Sequence, residues 1–314
     1  MLTAYFDESI YENKLALAGF IGRDDQWNNA LAGCNKILSD NGIPFIHMTD
    51  FCSPFSSQYT GVSMGDREMV IESLVGQIRT NIPLAISVSI DARNFEVAIS
   101  QRFKSQIGTA YTIAAVTSVM LVGVLFNKED IDLDVTWRFH GGHVNKEQLA
   151  QRLTVLMSAA GREMRISDFG FSIPQPGVPP PLQYQLADIL VHSVLQGVDC
   201  LRTMDHFTAE QNIESEDDLV FHYYHLDLGV PLIQKAWNPI AELEASLRKK
   251  RKLSNKALRL LDAIPQSSID AHNEAEMDAA RTAVAKINRV MRELNLEEGL
   301  KLVSREPNEN TSHD

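Results

Sequence analysis

The stretch LTAYFDESIYENKLALAGFI, residues 2–21, decides the fold class. Leu2–Glu8 and Leu15–Ile21 have strand-like composition, and the polar segment Ser9–Lys14 between them carries Asn13, a turn former. Two such runs joined by a short polar link predict an antiparallel hairpin. A sheet therefore starts at residue 2, and its first strand closes on two acids, Asp7 and Glu8. Successive side chains of a strand face opposite sides of the sheet. The two acids are thus expected to separate, one dominating any single site, unless the strand ends or bulges there.

Elements of both kinds follow. Asp24 and Asp25 precede Trp27, Leu31 and Leu38, spaced as one helix face, and Asn41-Gly42 marks its stop. Pro44–Met48 is short and apolar, either a strand or an extended loop. Cys52–Gly65 is rich in Ser, Gly and Pro and reads as a loop, with Ser63 and Asp66 forming a capping-box start to a helix through Arg79. Pro83–Asp91 alternates apolar residues with period two, a strand. Ser105–Asn127 carries no charged side chain and is long enough to cross a bilayer, but its threonines and its place between α/β elements predict a fully buried helix and no membrane span.

Asp132–His140 alternates again, with Asp134, Thr136, Arg138 and His140 on one side, and runs into a Gly141-Gly142 turn. Lys146–Ala160 predicts a helix, Ile166–Ile173 a strand, Pro174–Pro181 a proline-rich crossover, and Leu182–Leu195 a helix opened by Pro181. The expectation is an α/β domain over residues 1–203, a mixed sheet flanked by helices. An all-helical extension is expected over 204–303, with an apolar face from Met277 to Leu294, and a disordered polar tail over 304–314. That apolar face either packs within the chain or forms a homodimer.

Composition narrows the class. With 44% apolar and 22% charged residues the chain is an ordinary globular protein. Three widely spaced cysteines argue against a secreted disulfide framework and for a reducing compartment. The start MLTAYFDES has no basic and apolar leader pattern, so cytoplasm is the expected location. A net charge of −12 opposes a nucleic-acid backbone unless a basic patch or bound divalent cations intervene. The run RKKRK, 248–252, is such a patch or, on the blander reading, a solvated helix face.

Asp188 sits inside the apolar helix LQYQLADILVHSVL, where a carboxylate is costly unless paired or metal-bound. Gln185 and His192 share its helix face, so the choice is a polar stripe or a ligand face. Asp7 and Asp188 together are the skeleton of a hard-cation site for Mg²⁺ or Mn²⁺; the competing view of Asp7-Glu8 is a solvated strand end. His47 in the cluster His47-Met48-Thr49-Asp50 is either a base near metal-bound water or a hydrogen-bonded structural residue. His140 and His143 form a weak zinc pattern, as do His222 and His225 beside two tyrosines in the helical part. No Walker-type or GxGxxG pattern occurs, which removes the usual support for P-loop and dinucleotide enzymes; GVSMG, 61–65, has the GxSxG spacing but falls in the stretch read as a loop and capping box.

Three segments, YFDES from Tyr5, FIHMTDF from Phe45 and LQYQLADILVH from Leu182, together resemble the family catalogued as domain of unknown function 3800, which is similar to RNase H-like proteins. The resemblance covers about residues 1–200. It implies a ribonuclease H-like sheet on which Asp7, the first-strand acid, and Asp188, the helix acid, converge on metal ions for phosphodiester cleavage. Glu8, His47 and Gln185 match recurrent polar positions. The chain departs from the family at Ile10, where glycine is common, and at RFHGGH, where the central strand ends without an obvious acid. His140 and Asp134 are the alternatives for that third ligand. Three functions follow as expectations: a metal-dependent nuclease or related phosphodiesterase, a non-catalytic module that binds nucleic acid or protein and whose metal site has decayed, or hydrolysis of a small phosphorylated molecule.

Overall fold

A computed structural model describes residues 1–101, 104, 107–141, 143–160, 164–173, 175, 177–196, 221–231, 233 and 300–302. The basic run 248–252, the apolar face 277–294 with its dimer expectation, the boundary near 203 and the tail 304–314 lie outside them.

The opening hairpin is longer than its apolar runs. β1 (Leu2–Tyr11) and β2 (Lys14–Arg23) pair antiparallel to the last residue, Tyr11 opposite Lys14, with Glu12 at φ 53° in the turn. The polar Ser9–Tyr11 is thus strand, because cross-strand pairing overrides local polarity. Gly19 lies opposite Phe6, whose ring covers it: a Cβ there would stand 2.1 Å from the Tyr5 carbonyl oxygen and 2.7 Å from the Phe6 ring.

The remaining elements are α1 (Asp24–Asp40), α2 (Met48–Phe51), α3 (Met64–Asn81), β3 (Leu84–Asp91), α4 (Ala92–Ala98), α5 (Ala110–Lys128), β4 (Val135–His140), α6 (Lys146–Ala160), β5 (Ile166–Ser172), α7 (Leu182–Gln196), β6 (His222–Leu228) and β7 (Leu300–Leu302). Their sheet runs β5-β4-β1-β2-β3-β6-β7. β1 is an interior strand, antiparallel to β2 and parallel to β4; β3 is antiparallel to β2, while β4–β5 and β3–β6 are parallel pairs. The sheet is therefore mixed and flanked by helices, as the element pattern predicts. The stretch after about residue 200 is not all helical: HYYHLDL, His222–Leu228, is a strand beside β3. Its aromatic, alternating pattern is a strand signal.

Each sheet face carries its own core. Leu2, Ala4 and Phe6 of β1 and Val135, Trp137 and Phe139 of β4 bury with α5, together with Leu149 and Leu153 of α6. Ala16, Ala18 and Phe20 of β2 bury on the opposite face with α1, α3 and α7. α5 is the one helix among the described residues long and apolar enough to cross a membrane, and 89% of its apolar window is buried in the protein. A helix apolar on all sides is what the middle of a core requires.

The loop after α2 is organised from within. Ser63 caps α3, its Oγ accepting the Asp66 N–H at 3.1 Å. One turn on, buried Arg67 donates to the carbonyls of Phe51, Ser53, Tyr59 and Val62. Such multiple charge-assisted bonds tie the chain around Tyr59 in place. Pro44–Met48 is not a strand; it is extended and irregular up to His47, and α2 starts at Met48. Cys34 is free and buried.

Candidate metal centre

The parallel pairing of β1 with β4 stops at Phe6 opposite Phe139. The next residues along the two strands are Asp7 and His140, and there the imidazole Nδ1 lies 3.0 Å from Asp7 Oδ1. The same oxygen accepts the Glu8 N–H at 2.8 Å, which leaves Oδ2 for a ligand. One carboxylate oxygen each from Asp7 and Glu8 and one ring nitrogen of His140 lie within 4.8 Å of one another. The expected separation of the two acids by the pleat is thus corrected: β4 no longer pairs with β1 here, so side chains from both faces reach the open edge. Asp134, the alternative third ligand, precedes β4 at the far end, where its carbonyl accepts the Leu2 N–H.

α7 supplies the facing wall. Pro181 opens it, its carbonyl accepting the Tyr184 and Gln185 N–H groups. Asp188 Oδ2 accepts the Met48 N–H at 2.7 Å. One turn earlier, Gln185 holds two segments at once: Oε1 accepts the Ile46 N–H and Nε2 donates to the Pro180 carbonyl, both at 2.7 Å. Between these anchors His47 donates its N–H to the Tyr59 hydroxyl, which donates to the Phe45 carbonyl. The His47 ring engages Asp50 through Nδ1, 2.8 Å from Oδ2.

Asp7, Glu8, His47, His140, Gln185 and Asp188 all line one cleft of about 910 Å³. His192 does not, although it shares a helix face with Gln185 and Asp188. It is 3% exposed, neither ring nitrogen has a partner, and burial pushes its pKa down to about 4. His143 stacks on Tyr111 at 3.9 Å and stands outside the ligand group. His222 and His225 lie on β6; His225 meets Ser87 at 2.7 Å. The zinc patterns therefore do not assemble.

Electrostatics single out the same point. Glu8 is pushed up to about 8, first by burial and then by the Asp7 charge. Asp188 is pushed up to about 6, by burial and then by Asp7, against the stabilising Met48 N–H. The hydrogen bond to Asp7 raises His140. Glu8 Oε2 is buried without a partner. An unpaired buried carboxylate oxygen costs several kcal/mol unless it is protonated or coordinated. Three carboxylates round one cleft, one with an orphaned oxygen, and one imidazole are a donor set that fits a divalent cation. Asp7, Glu8 and His140 would hold it, with Asp188 facing them across the cleft.

Sequence reasoning missed two side chains here. Tyr184 lines the cleft between Tyr5 and His140, with ring centroids 5.5 and 5.6 Å away. Its place directly before Gln185 was the signal. Tyr111 lies on the α5 side with a buried, unpartnered hydroxyl, whose ionisation burial and the Glu8 and Asp7 charges oppose. Nothing in an uncharged helix marks it. No family model matches the chain, and no curated protein or solved structure matches it either.

Proposed function

We propose that the protein is a divalent-cation-dependent phosphodiester hydrolase of RNase H-like type, related to the family of domain of unknown function 3800. The observation that carries this reading is the Asp7–Glu8–His140 group, within 4.8 Å, in one cleft with Asp188. The order β5-β4-β1-β2-β3, in which β2 alone runs antiparallel to the rest, supports an RNase H-like sheet. Glu8 answers the missing third acid and weighs against a decayed site.

A cation bound there neutralises phosphate charge and makes water a stronger nucleophile at neutral pH. The mixed oxygen and nitrogen donors suit Mn²⁺ better than Mg²⁺, which prefers an all-oxygen shell. Asp7 and Glu8 supply anionic oxygens. His140 Nδ1, 3.0 Å from Asp7 Oδ1, is at the separation of two neighbouring ligands and would supply the nitrogen donor. Asp188, with one oxygen committed to Met48, offers the other to the cleft. His47 has Nδ1 engaged by Asp50, so Nε2 is free to take a proton from water as the P–O bond breaks, or to return one to the leaving oxygen.

Calorimetric titration with Mn²⁺ and Mg²⁺, and hydrolysis of labelled DNA, RNA and bis(p-nitrophenyl) phosphate with Mn²⁺ or EDTA, test the reading. Wild type should bind Mn²⁺ at one or two sites and cleave only with metal. An Asp7→Asn, Asp188→Asn double variant should lose at least 100-fold in rate. Cleavage that persists in that variant would show that the chemistry lies elsewhere.

A further inference from the structure

Resting on the hydrolase reading, we propose that the cleft accepts a compact phosphodiester bearing a flat ring, one or two nucleotides in size, rather than a nucleic-acid duplex. The ring lies against the wall formed by Ile173, Val178 and Pro179, and the phosphate over Asp7 and Asp188.

Size is the first ground. The cleft measures about 910 Å³, and ligand pockets enclosing one small molecule run to roughly 300–1,000 Å³. The second ground is what the walls are made of. On one side stand Phe45 and Ile46, and on the other Ile173, Gln175 and the segment Gly177–Pro181. Ile173 and Val178 keep 72% and 58% of their surface exposed, although both line the cleft. Apolar side chains held open beside a group of acids match a ligand with one charged end and one apolar, flat end. Proline and branched aliphatic faces take any ring, so they favour a ring without selecting a base.

Charge is the third ground. Among the described residues that line the cleft there is no lysine and no arginine, while Asp7, Glu8 and Asp188 are all there. A duplex carries about one negative charge per 1.7 Å of axis and is held by several cationic side chains. A single phosphate needs only the bound cation. The fourth ground is rigidity. Gln185 bonds the Ile46 wall and the Pro180 strap through its two amide atoms, so the width of the cleft is set before any ligand arrives. A preformed cleft suits a small ligand and gives no sign of opening for a wide one.

The test uses the full chain with Mn²⁺. Hydrolysis of a dinucleoside monophosphate, bis(p-nitrophenyl) phosphate, single-stranded RNA and a 20-base-pair duplex is compared for wild type, Val178→Asp and Ile173→Asp. Binding of a fluorescent dinucleoside phosphorothioate is read by anisotropy in parallel. We expect kcat/KM for the dinucleotide to exceed the duplex value per bond at least tenfold. Each Asp variant should raise the dinucleotide KM at least fivefold and leave Mn²⁺ affinity unchanged. A duplex cleaved as fast as the dinucleotide, or an unchanged KM in both variants, would overturn the substrate class while leaving the hydrolase reading intact. If no diester is cleaved, the hydrolase reading falls, and the substrate class stands or falls on whether the phosphorothioate binds and Val178→Asp weakens that binding fivefold.

Discussion

Asp188 Oδ2 receives the backbone N–H of Met48 at 2.7 Å, so the helix acid of the cleft also anchors the segment that carries His47. On the proposed function, structural and chemical roles meet in one carboxylate, and two substitutions separate them. Asp188→Asn keeps an acceptor for Met48 and removes the charge, so thermal stability should stay near wild type while hydrolysis falls at least 100-fold. Asp188→Ala also strands the Met48 N–H, which costs about 1–3 kcal/mol. Denaturant unfolding of both variants beside the rate assay measures the difference. Equal stability of the two would mean that the Met48 bond contributes nothing.

Glu8 should make the metal-free protein less stable as pH rises. Its folded pKa is about 8 against an ordinary 4.5, so between those values the folded state holds a proton that the unfolded state has released. Stability from this group is therefore full below about pH 4.5 and is lost as pH climbs through 8, at up to ~1.4 kcal/mol per pH unit. Glu8→Gln should flatten that slope relative to wild type. Mn²⁺ binding at pH 7 should release protons from Glu8 and from His140, read as a dependence of the calorimetric heat on buffer ionisation enthalpy, and Glu8→Gln should reduce that dependence.

His192 acts with the opposite sign. Its folded pKa of about 4 lies below the ordinary 6.5, so the unfolded state binds the extra proton and stability is lost as pH falls from 6.5 toward 4. Both ring nitrogens are without partners, and an apolar side chain of similar volume leaves nothing unsatisfied. His192→Leu should be at least as stable as wild type at pH 7, and its advantage should grow on acidification to pH 4.5. Thermal melts across that range report it; an advantage that shrinks with acid would mean that the ring is charged in the folded protein.

Two glycines should respond in opposite directions to alanine. At Gly19 the new Cβ would meet the Tyr5 carbonyl oxygen at 2.1 Å, and crowding a packed sheet costs about 1–3 kcal/mol. Gly76, inside α3, has nothing within 4 Å of the corresponding point, so Gly76→Ala should stabilise by roughly 0.5–1 kcal/mol through helix propensity. Paired melting curves give both values.

Much of the fold is legible locally. The Ser63–Asp66 capping box, the alternation of β3 and β4 and the buried α5 each follow from residues a turn or a pleat apart. The strand β6 was missed although HYYHLDL alternates, because it stands alone in sequence and pairs with β3, more than 130 positions earlier. At the site, Asp7, Asp188 and His47 are visible as acids and a base beside apolar runs. The membership of Glu8 is not visible, because pleat alternation sends it away from Asp7 and only the end of the β1–β4 ladder brings it back.

Taken by itself, the sequence determined the kinds of element, their order and the chemistry on offer: an acidic strand end, a carboxylate in an apolar helix, and a histidine segment between them. These depend on periods of two and 3.6 residues, which neighbouring side chains encode. The tertiary structure alone decided which groups meet. His140 reaches Asp7 across 133 positions, Gln185 reaches Ile46 across 139 and Asp188 reaches Met48 across 140. Contacts at such separations are set by strand order and by the docking of α7 on the sheet, and the free energy that selects them is spread over both cores rather than written in any one segment.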